Sequence, residues 1–131
     1  MIHRNRSGRI ATVLAAFVLA LAGLTLAPAA PASAAAGSWN SCPLGYFCAW
    51  SGQNATGSRC QWEDDSSNWY ADCSWADTNY PGSVFNNGRT GRSVTIYRYT
   101  GYVSKIGGCV ERLEYVNLAN NYFIGSHQWV C

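Results

Sequence analysis

Cysteine is the residue of this sequence with the clearest potential for chemistry, because its thiolate either oxidises to a disulfide or binds zinc. Zinc sites in small domains use Cys-x-x-Cys pairs, and none occurs here. Beyond His3, moreover, the sequence has a single histidine, His127, to complete such a site. The even cysteine count therefore predicts three disulfides, whose pairing the sequence leaves open. The six cysteines are Cys42, Cys48, Cys60, Cys73, Cys109 and Cys131.

Side chains able to act as catalytic acids, bases or nucleophiles are few and form no recognised pattern. His127 lies between Ser126 and Gln128, without the Gly-x-Ser-x-Gly context of a serine hydrolase. The acidic run 63–65 and the glutamates of segment 111–114 would suit a glycosidase only if they faced each other across a cleft, which their spacing does not indicate. A lone histidine near a chain end is more often packed or solvated than catalytic. We therefore expect no enzymatic activity.

Turn residues divide the sequence into pieces of strand length. The clearest strand is 93–99, which is rich in β-branched and aromatic residues, followed by 45–50 and a short strand at 83–85. Segment 109–118 is ambiguous, because its apolar residues recur every three positions and would suit one or two helical turns. No other stretch sustains a helical period, so the sequence predicts an all-β domain of short strands.

Two faint repeats indicate how the strands are organised. Residues 76–83 match residues 119–126 at a constant offset of 43, each with Ala, an Asx residue and Gly-Ser at the same distance. An aromatic-x-Gly turn precedes each copy, at 50–52 and at 99–101. Two copies of a unit of about 40 residues, each a Greek key, would explain both repeats. Chance similarity in a sequence rich in Gly, Ser and Asn is the alternative.

The first 34 residues predict a cleaved signal peptide. Basic residues precede an apolar run, 10–26, which ends in a tract of small residues, so we place the cut after Ala34, with a second register after Ala36. Prolines follow the run instead of a charged stop-transfer cluster, which argues against a membrane anchor. We expect residues 35–131 to be one secreted, extracellular domain that does not contact a membrane after cleavage.

Removal of the signal peptide changes the net charge. The whole chain has 9 Lys+Arg and 7 Asp+Glu, a net charge of +2. Three arginines, Arg4, Arg6 and Arg9, lie in the signal peptide, so residues 35–131 carry 6 basic and 7 acidic side chains, a net charge of −1. Such a domain lacks the basic field that nucleic-acid or membrane-surface binding needs. We expect a monomer that binds neither.

Three short motifs follow one another along the predicted domain. They are residues 42–50 (CPLGYFCAW), residues 83–88 (SVFNNG), and residues 118–121 (LANN) followed by 126–129 (SHQW). They resemble the opening, central and closing motifs of secreted actinobacterial proteins typified by the Streptomyces metalloproteinase inhibitor. The resemblance implies a βγ-crystallin-like domain of two Greek-key motifs, braced by disulfides, that inhibits an extracellular peptidase.

The same resemblance raises the question of calcium. Calcium-binding βγ-crystallins carry Asx-Asx-x-x-Ser/Thr-Ser, and the candidate ligands here are Asp77, Ser83, Asn120, Asn121 and Ser126. In both copies the spacing is one residue longer, and glycine replaces the first hydroxyl residue. Asp77 is the only carboxylate, whereas calcium favours six to eight oxygen ligands with carboxylates among them. Asx-turns that bond a loop to its own backbone are the alternative, so we expect weak calcium binding at most and no other cofactor.

A peptidase inhibitor needs a loop that is held in one conformation, so that little ordering entropy is lost on binding. The long irregular stretch 50–84 and the arm 101–108 are the candidate inhibitory loops, and the sequence does not identify the reactive bond. The rival functions are carbohydrate binding, through a row formed by Trp62, Trp69 and Trp75, and a killer-toxin-like antimicrobial activity. The resemblance favours inhibition of a metallopeptidase by blockade with a rigid loop.

Overall fold

The computed structural model describes residues 37–131. The predicted signal peptide, with both registers of its cut, lies outside these residues and stays a prediction. In the part of the chain that is described, no helix is long and apolar enough to cross a membrane.

Short strands account for nearly all the regular structure of residues 37–131. A 3₁₀ turn at Trp39–Ser41 comes first, and every pairing between the strands is antiparallel. The elements are β1 (Tyr46–Trp50), β2 (Arg59–Trp62), α1 (Trp69–Asp72), β3 (Ser83–Asn87), β4 (Val94–Tyr99), β5 (Val103–Val110), β6 (Tyr115–Asn117) and β7 (Ser126–Gln128). The predicted all-β class is confirmed.

Strand order shows that the two halves of the domain are interlocked. The first sheet has the order β2-β1-β3-β6, and the second has the order β5-β4-β7. The first sheet therefore contains β6, which comes from the second half of the chain. In return Ser66, from the first half, forms a β-bridge with His127 in β7. This exchange gives the βγ-crystallin-like fold of two Greek keys that the sequence predicted.

A buried serine locks the turn after β1. The Ser83 hydroxyl donates a hydrogen bond to the Gly52 carbonyl (2.7 Å) and accepts one from the Ala55 amide (3.0 Å). Ser83 is fully buried, so no water competes for these bonds. Gly82 beside it is required by close packing, since a Cβ there would lie 2.3 Å from the Gly52 carbonyl carbon.

The second half contains the same lock. The Ser126 hydroxyl donates to the Tyr99 carbonyl (2.6 Å) and accepts from the Tyr102 amide (3.0 Å). The Gly-Ser repeat therefore marks the same structural device in both halves. The carbonyls that accept from the two serines belong to Gly52 and Tyr99, which are 47 residues apart. The aromatic-x-Gly turns at 50–52 and 99–101 are 49 residues apart, so the two locks do not occupy equivalent positions in those turns.

Successive residues of β1 face opposite sides of the first sheet, as the pleat requires. Phe47 and Ala49 belong to the core between the sheets. Cys48 and Trp50 belong to a second cluster on the outer face, where Trp39 of the 3₁₀ turn packs on Trp50 with ring centroids 5.3 Å apart. β1 is therefore buried on both faces.

The expected strands at 45–50, 83–85 and 93–99 correspond to β1, β3 and β4. The helical reading of 109–118 is wrong. Val110 ends β5, Leu113 lies in an exposed turn and Val116 lies in β6. Their spacing of three comes from a strand, a turn and a further strand, not from one helical face.

Each cysteine pairs with the next cysteine along the chain. The disulfides are Cys42–Cys48, Cys60–Cys73 and Cys109–Cys131. The first closes the opening motif, the second ties β2 to the end of α1, and the third joins β5 to residue 131. The predicted disulfide framework is present, and the structure supplies the pairing that the sequence left open.

Candidate functional site

The connection between β5 and β6 is a tight, exposed turn, Glu111–Glu114, which we call the braced turn. The Glu114 amide donates to the Glu111 carbonyl (3.0 Å), which closes the turn. The Glu114 carboxylate in return accepts from the Glu111 amide (2.6 Å). Leu113 at its tip has φ +64°, in the left-handed region that costs free energy for a residue with a branched side chain. The surrounding contacts must therefore hold this backbone in place.

Those contacts come from the central motif, residues 83–88. The Leu113 amide donates to the Asn86 carbonyl (2.7 Å), and the Asn86 amide donates to the Glu114 carbonyl (3.3 Å). Arg112 adds a bond from Nε to the Gly88 carbonyl (2.9 Å). The backbone of the turn is thus bonded on both sides of its tip.

The Asn86 side chain forms the centre of this brace. It is fully buried, and its Nδ2 donates to the carbonyls of Arg92 and Val110, both at 3.0 Å. Its Oδ1 accepts from the Gly88 amide (3.0 Å). A Cβ at Gly88 would lie 2.8 Å from the ring of Trp129, so only glycine fits there. Asn86 is therefore a satisfied buried amide that fixes the start of the turn.

The residues of the braced turn are exposed, although Arg112 and Glu114 also bond backbone carbonyl and amide groups. Residues 111–115 are each exposed, and Leu113 and Tyr115 are 50% and 53% accessible. The disulfide Cys109–Cys131 fixes the chain two residues before the turn. An apolar side chain on a backbone that is already ordered is the arrangement that binds a partner with little loss of entropy.

The stretch 50–84 is less suited to inhibition than its tryptophans suggested. Trp62, Trp69 and Trp75 are 8%, 0% and 7% exposed, and Trp62 stacks on Trp69 with ring centroids 4.4 Å apart. These rings form part of the core, so they offer neither interface anchors nor a stacking row for sugars. The stretch also contains β2 and α1, which begins after an Asn68 side chain that accepts from the Tyr70 amide.

The arm 101–108 forms the turn and first part of β5. Its Val103 is 54% exposed, and the amide of Gly101 donates to the Ser67 carbonyl (2.8 Å). A Cβ at Gly107 or Gly108 would meet no atom within 4 Å, so these glycines sit in open space. The arm is exposed, and its backbone is also held, by the Ser126 hydroxyl at Tyr102 and by pairing with β4.

His127 is a structural residue. It is fully buried, its Nδ1 accepts from Trp69 Nε1 (2.7 Å), and its Nε2 lies 3.1 Å from the Asp64 carbonyl, so the ring proton is on Nε2. Burial lowers the pKa of His127 to about 4, although the Asp64 carbonyl and the charges of Asp65 and Asp72 act in the opposite direction. The ring is neutral at physiological pH.

The residues considered for calcium separate into two groups. The hydroxyls of Ser83 and Ser126 are buried and each already makes two hydrogen bonds in the serine locks. Asp77, Asn120 and Asn121 are exposed, and Asn120 has φ +54°. Weak calcium binding stays a prediction. Two of its five candidate ligands, the hydroxyls of Ser83 and Ser126, already have hydrogen-bond partners.

Sequence reasoning missed the braced turn and the role of Asn86. The only local signal was the central motif itself, because an Asn-Asn-Gly after a strand is a turn-forming sequence. That the partners of Asn86 lie 27 and 28 residues later, at Leu113 and Glu114, could not be read from the motif alone.

Two interlocked Greek keys that hold one exposed turn in a fixed conformation define a small disulfide-braced binding protein of the βγ-crystallin-like class. A model of the peptidase inhibitor family I36 matches residues 35–112, more than half of the chain. The chain belongs to this family of peptidase inhibitors. The matched range includes the central motif and the first two residues of the braced turn. Comparisons with curated proteins and with solved structures found no match.

Proposed function

We propose that this protein is secreted and inhibits an extracellular metallopeptidase by placing the braced turn in its active-site cleft. The metallopeptidase preference rests on the resemblance of the three motifs to the Streptomyces metalloproteinase inhibitor. The blocking mechanism rests on one observation: the backbone of residues 111–114 is bonded on both sides while Leu113 remains half exposed. Disulfides between successive cysteines suit an oxidising, extracellular environment.

The inhibitor acts as a monomer and without a cofactor in this proposal. Leu113 supplies the apolar anchor, and the ordering entropy of the turn has been lost before the peptidase arrives. Carbohydrate binding is less well supported, because the tryptophans that would form its stacking row are buried.

The test is titration of residues 35–131 against a thermolysin-type metallopeptidase and a subtilisin-type serine peptidase. We expect stoichiometric inhibition of the metallopeptidase. Leu113→Ala should raise the inhibition constant roughly thirtyfold, because truncating an interface anchor costs about 2 kcal/mol.

Val103→Ala is the matched control, since Val103 is an apolar side chain of similar exposure. Val103 begins β5 opposite Tyr99, and Val110 ends β5 opposite Val94, just before the braced turn. The length of β4, about 17 Å, therefore separates Val103 from the braced turn. The control should leave inhibition unchanged. Loss of inhibition in Val103→Ala but not in Leu113→Ala would move the site to the arm 101–108. No inhibition of either peptidase at large molar excess, together with retention on insoluble glycan or arrest of microbial growth, would favour the rival functions.

A further inference from the structure

A recess that is separate from the braced turn lies between α1 and the loop that precedes β7. It has a volume of about 260 Å³ and is lined by Tyr70, Asp77 and Phe123. We call it the aromatic recess. Neither the serine locks nor the brace uses its side chains.

Aromatic rings stand nearly perpendicular to one another around this recess. The Phe123 ring lies 6.3 Å from the Tyr70 ring at 89° and 4.6 Å from the Tyr80 ring at 63°. Phe123 and Tyr70 are only partly buried, and Tyr80 is 41% exposed. In an edge-to-face pair the edge of one ring meets the face of the other, so the faces of the edge-on ring are not covered by that partner. Tyr70 and Phe123 line the recess, and Tyr80 packs on Phe123 without lining it.

The single charge in the lining has the sign that a cation needs. Asp77 is exposed, and none of the hydrogen bonds among residues 37–131 engages its carboxylate. No lysine or arginine lines the recess. A carboxylate beside aromatic faces makes the space attractive to positive charge through both the charge and the ring quadrupoles.

The type of cation follows from the shortage of oxygen ligands. One carboxylate and one phenol cannot replace the six to eight oxygens that calcium requires. A sugar would need several polar partners, which this lining does not offer. A bulky cation with methyl groups over its charge is weakly hydrated and contacts aromatic carbon favourably. We propose that the aromatic recess binds an alkylated ammonium group, either in a free quaternary amine or on a methylated lysine side chain.

The test is an NMR titration of residues 35–131 with choline chloride, following the ring signals of Phe123 and Tyr70. The matched control ligand is 3,3-dimethyl-1-butanol, which has the shape of choline without its charge. We expect saturable shifts with choline and at least about tenfold weaker binding of the neutral alcohol. A parallel titration with Nα-acetyl-trimethyllysine amide distinguishes the two ligands. Tighter binding of choline would identify a free quaternary amine, and tighter binding of the lysine derivative would identify a methylated lysine side chain.

Two variants locate the site. Asp77→Asn keeps the size of the side chain and should weaken choline binding severalfold, and Phe123→Leu should weaken it about tenfold. Glu63→Gln, which removes an exposed carboxylate that lines a different recess, should have no effect. Equal binding of choline and the neutral alcohol, or no shift at 50-fold the concentration that half-saturates a typical millimolar site (about 50 mM), would overturn the proposal. Peptidase inhibition is measured separately, so either result leaves the proposed function untouched.

Discussion

In the sheet formed by β2, β1, β3 and β6, the central strands β1 and β3 are buried on both faces, whereas in the sheet formed by β5, β4 and β7 the edge strand β5 is largely exposed. In β1 the burial pattern shows four consecutive buried residues, and in β5 five of eight residues are exposed. Both sheets nevertheless contain the same serine lock. The comparison indicates that one backbone device serves two settings: the first half uses it beside the buried strands β1 and β3, and the second uses it beside the exposed edge strand β5, which leads into the braced turn.

The largest test of this comparison removes a core side chain from the first sheet. Phe47→Ala should lower the free energy of unfolding by about 3–5 kcal/mol, because Phe47 is fully buried among Trp69, His127 and Trp129. Urea denaturation with the disulfides intact gives the value. Val103→Ala in the second sheet should change it by less than about 0.5 kcal/mol. Equal losses of unfolding free energy in the two variants would show that the buried strand β1 and the exposed strand β5 contribute equally to stability.

The next test uses the pH dependence of stability to probe His127, which lies where the two halves meet through the bridge to Ser66. The folded-state pKa of His127 is about 4, against an ordinary value of 6.5, because burial disfavours the charged ring. Above pH 6.5 both states are neutral and the stability is complete. Between pH 6.5 and about 4 only the unfolded chain gains the proton, so stability should fall by up to about 3 kcal/mol.

Equilibrium unfolding at a series of pH values measures this loss, and the NMR titration of the His127 ring gives its folded pKa directly. His127→Gln should flatten the dependence in this window. A His127 ring that titrates near 6.5 in the folded protein would show that burial does not control its charge.

The smallest effect compares the two locks. Ser83→Ala and Ser126→Ala each leave one buried amide without its partner, and each should cost about 1–3 kcal/mol. Hydrogen exchange should then accelerate at Ala55 in the first variant and at Tyr102 in the second, with little change in the other half. Destabilisation in one variant alone would mean that the locks share geometry without sharing a role.

Local patterns predicted the all-β class, the recurrence of residue types at an offset of 43 predicted the Greek-key repeat, and the even cysteine count predicted the disulfide framework, so none of the three required knowledge of which segments meet. The role of the tryptophans did not follow from sequence, since burial of Trp62 and Trp69 depends on β7 packing over them from the other half. The brace at Asn86 and the aromatic recess depend in the same way on segments that meet only after folding.

The pairing of each cysteine with its immediate successor has a consequence for oxidative folding. The bridged residues are separated by 6, 13 and 22 positions, and the pairs neither overlap nor enclose one another. A chain that meets an oxidising environment in order, N-terminus first, can therefore complete every bridge before the next cysteine pair appears. No correct bridge has to wait for a distant partner, so disulfide isomerisation is not required. The interlocking of the two halves is left to the noncovalent contacts that form afterwards.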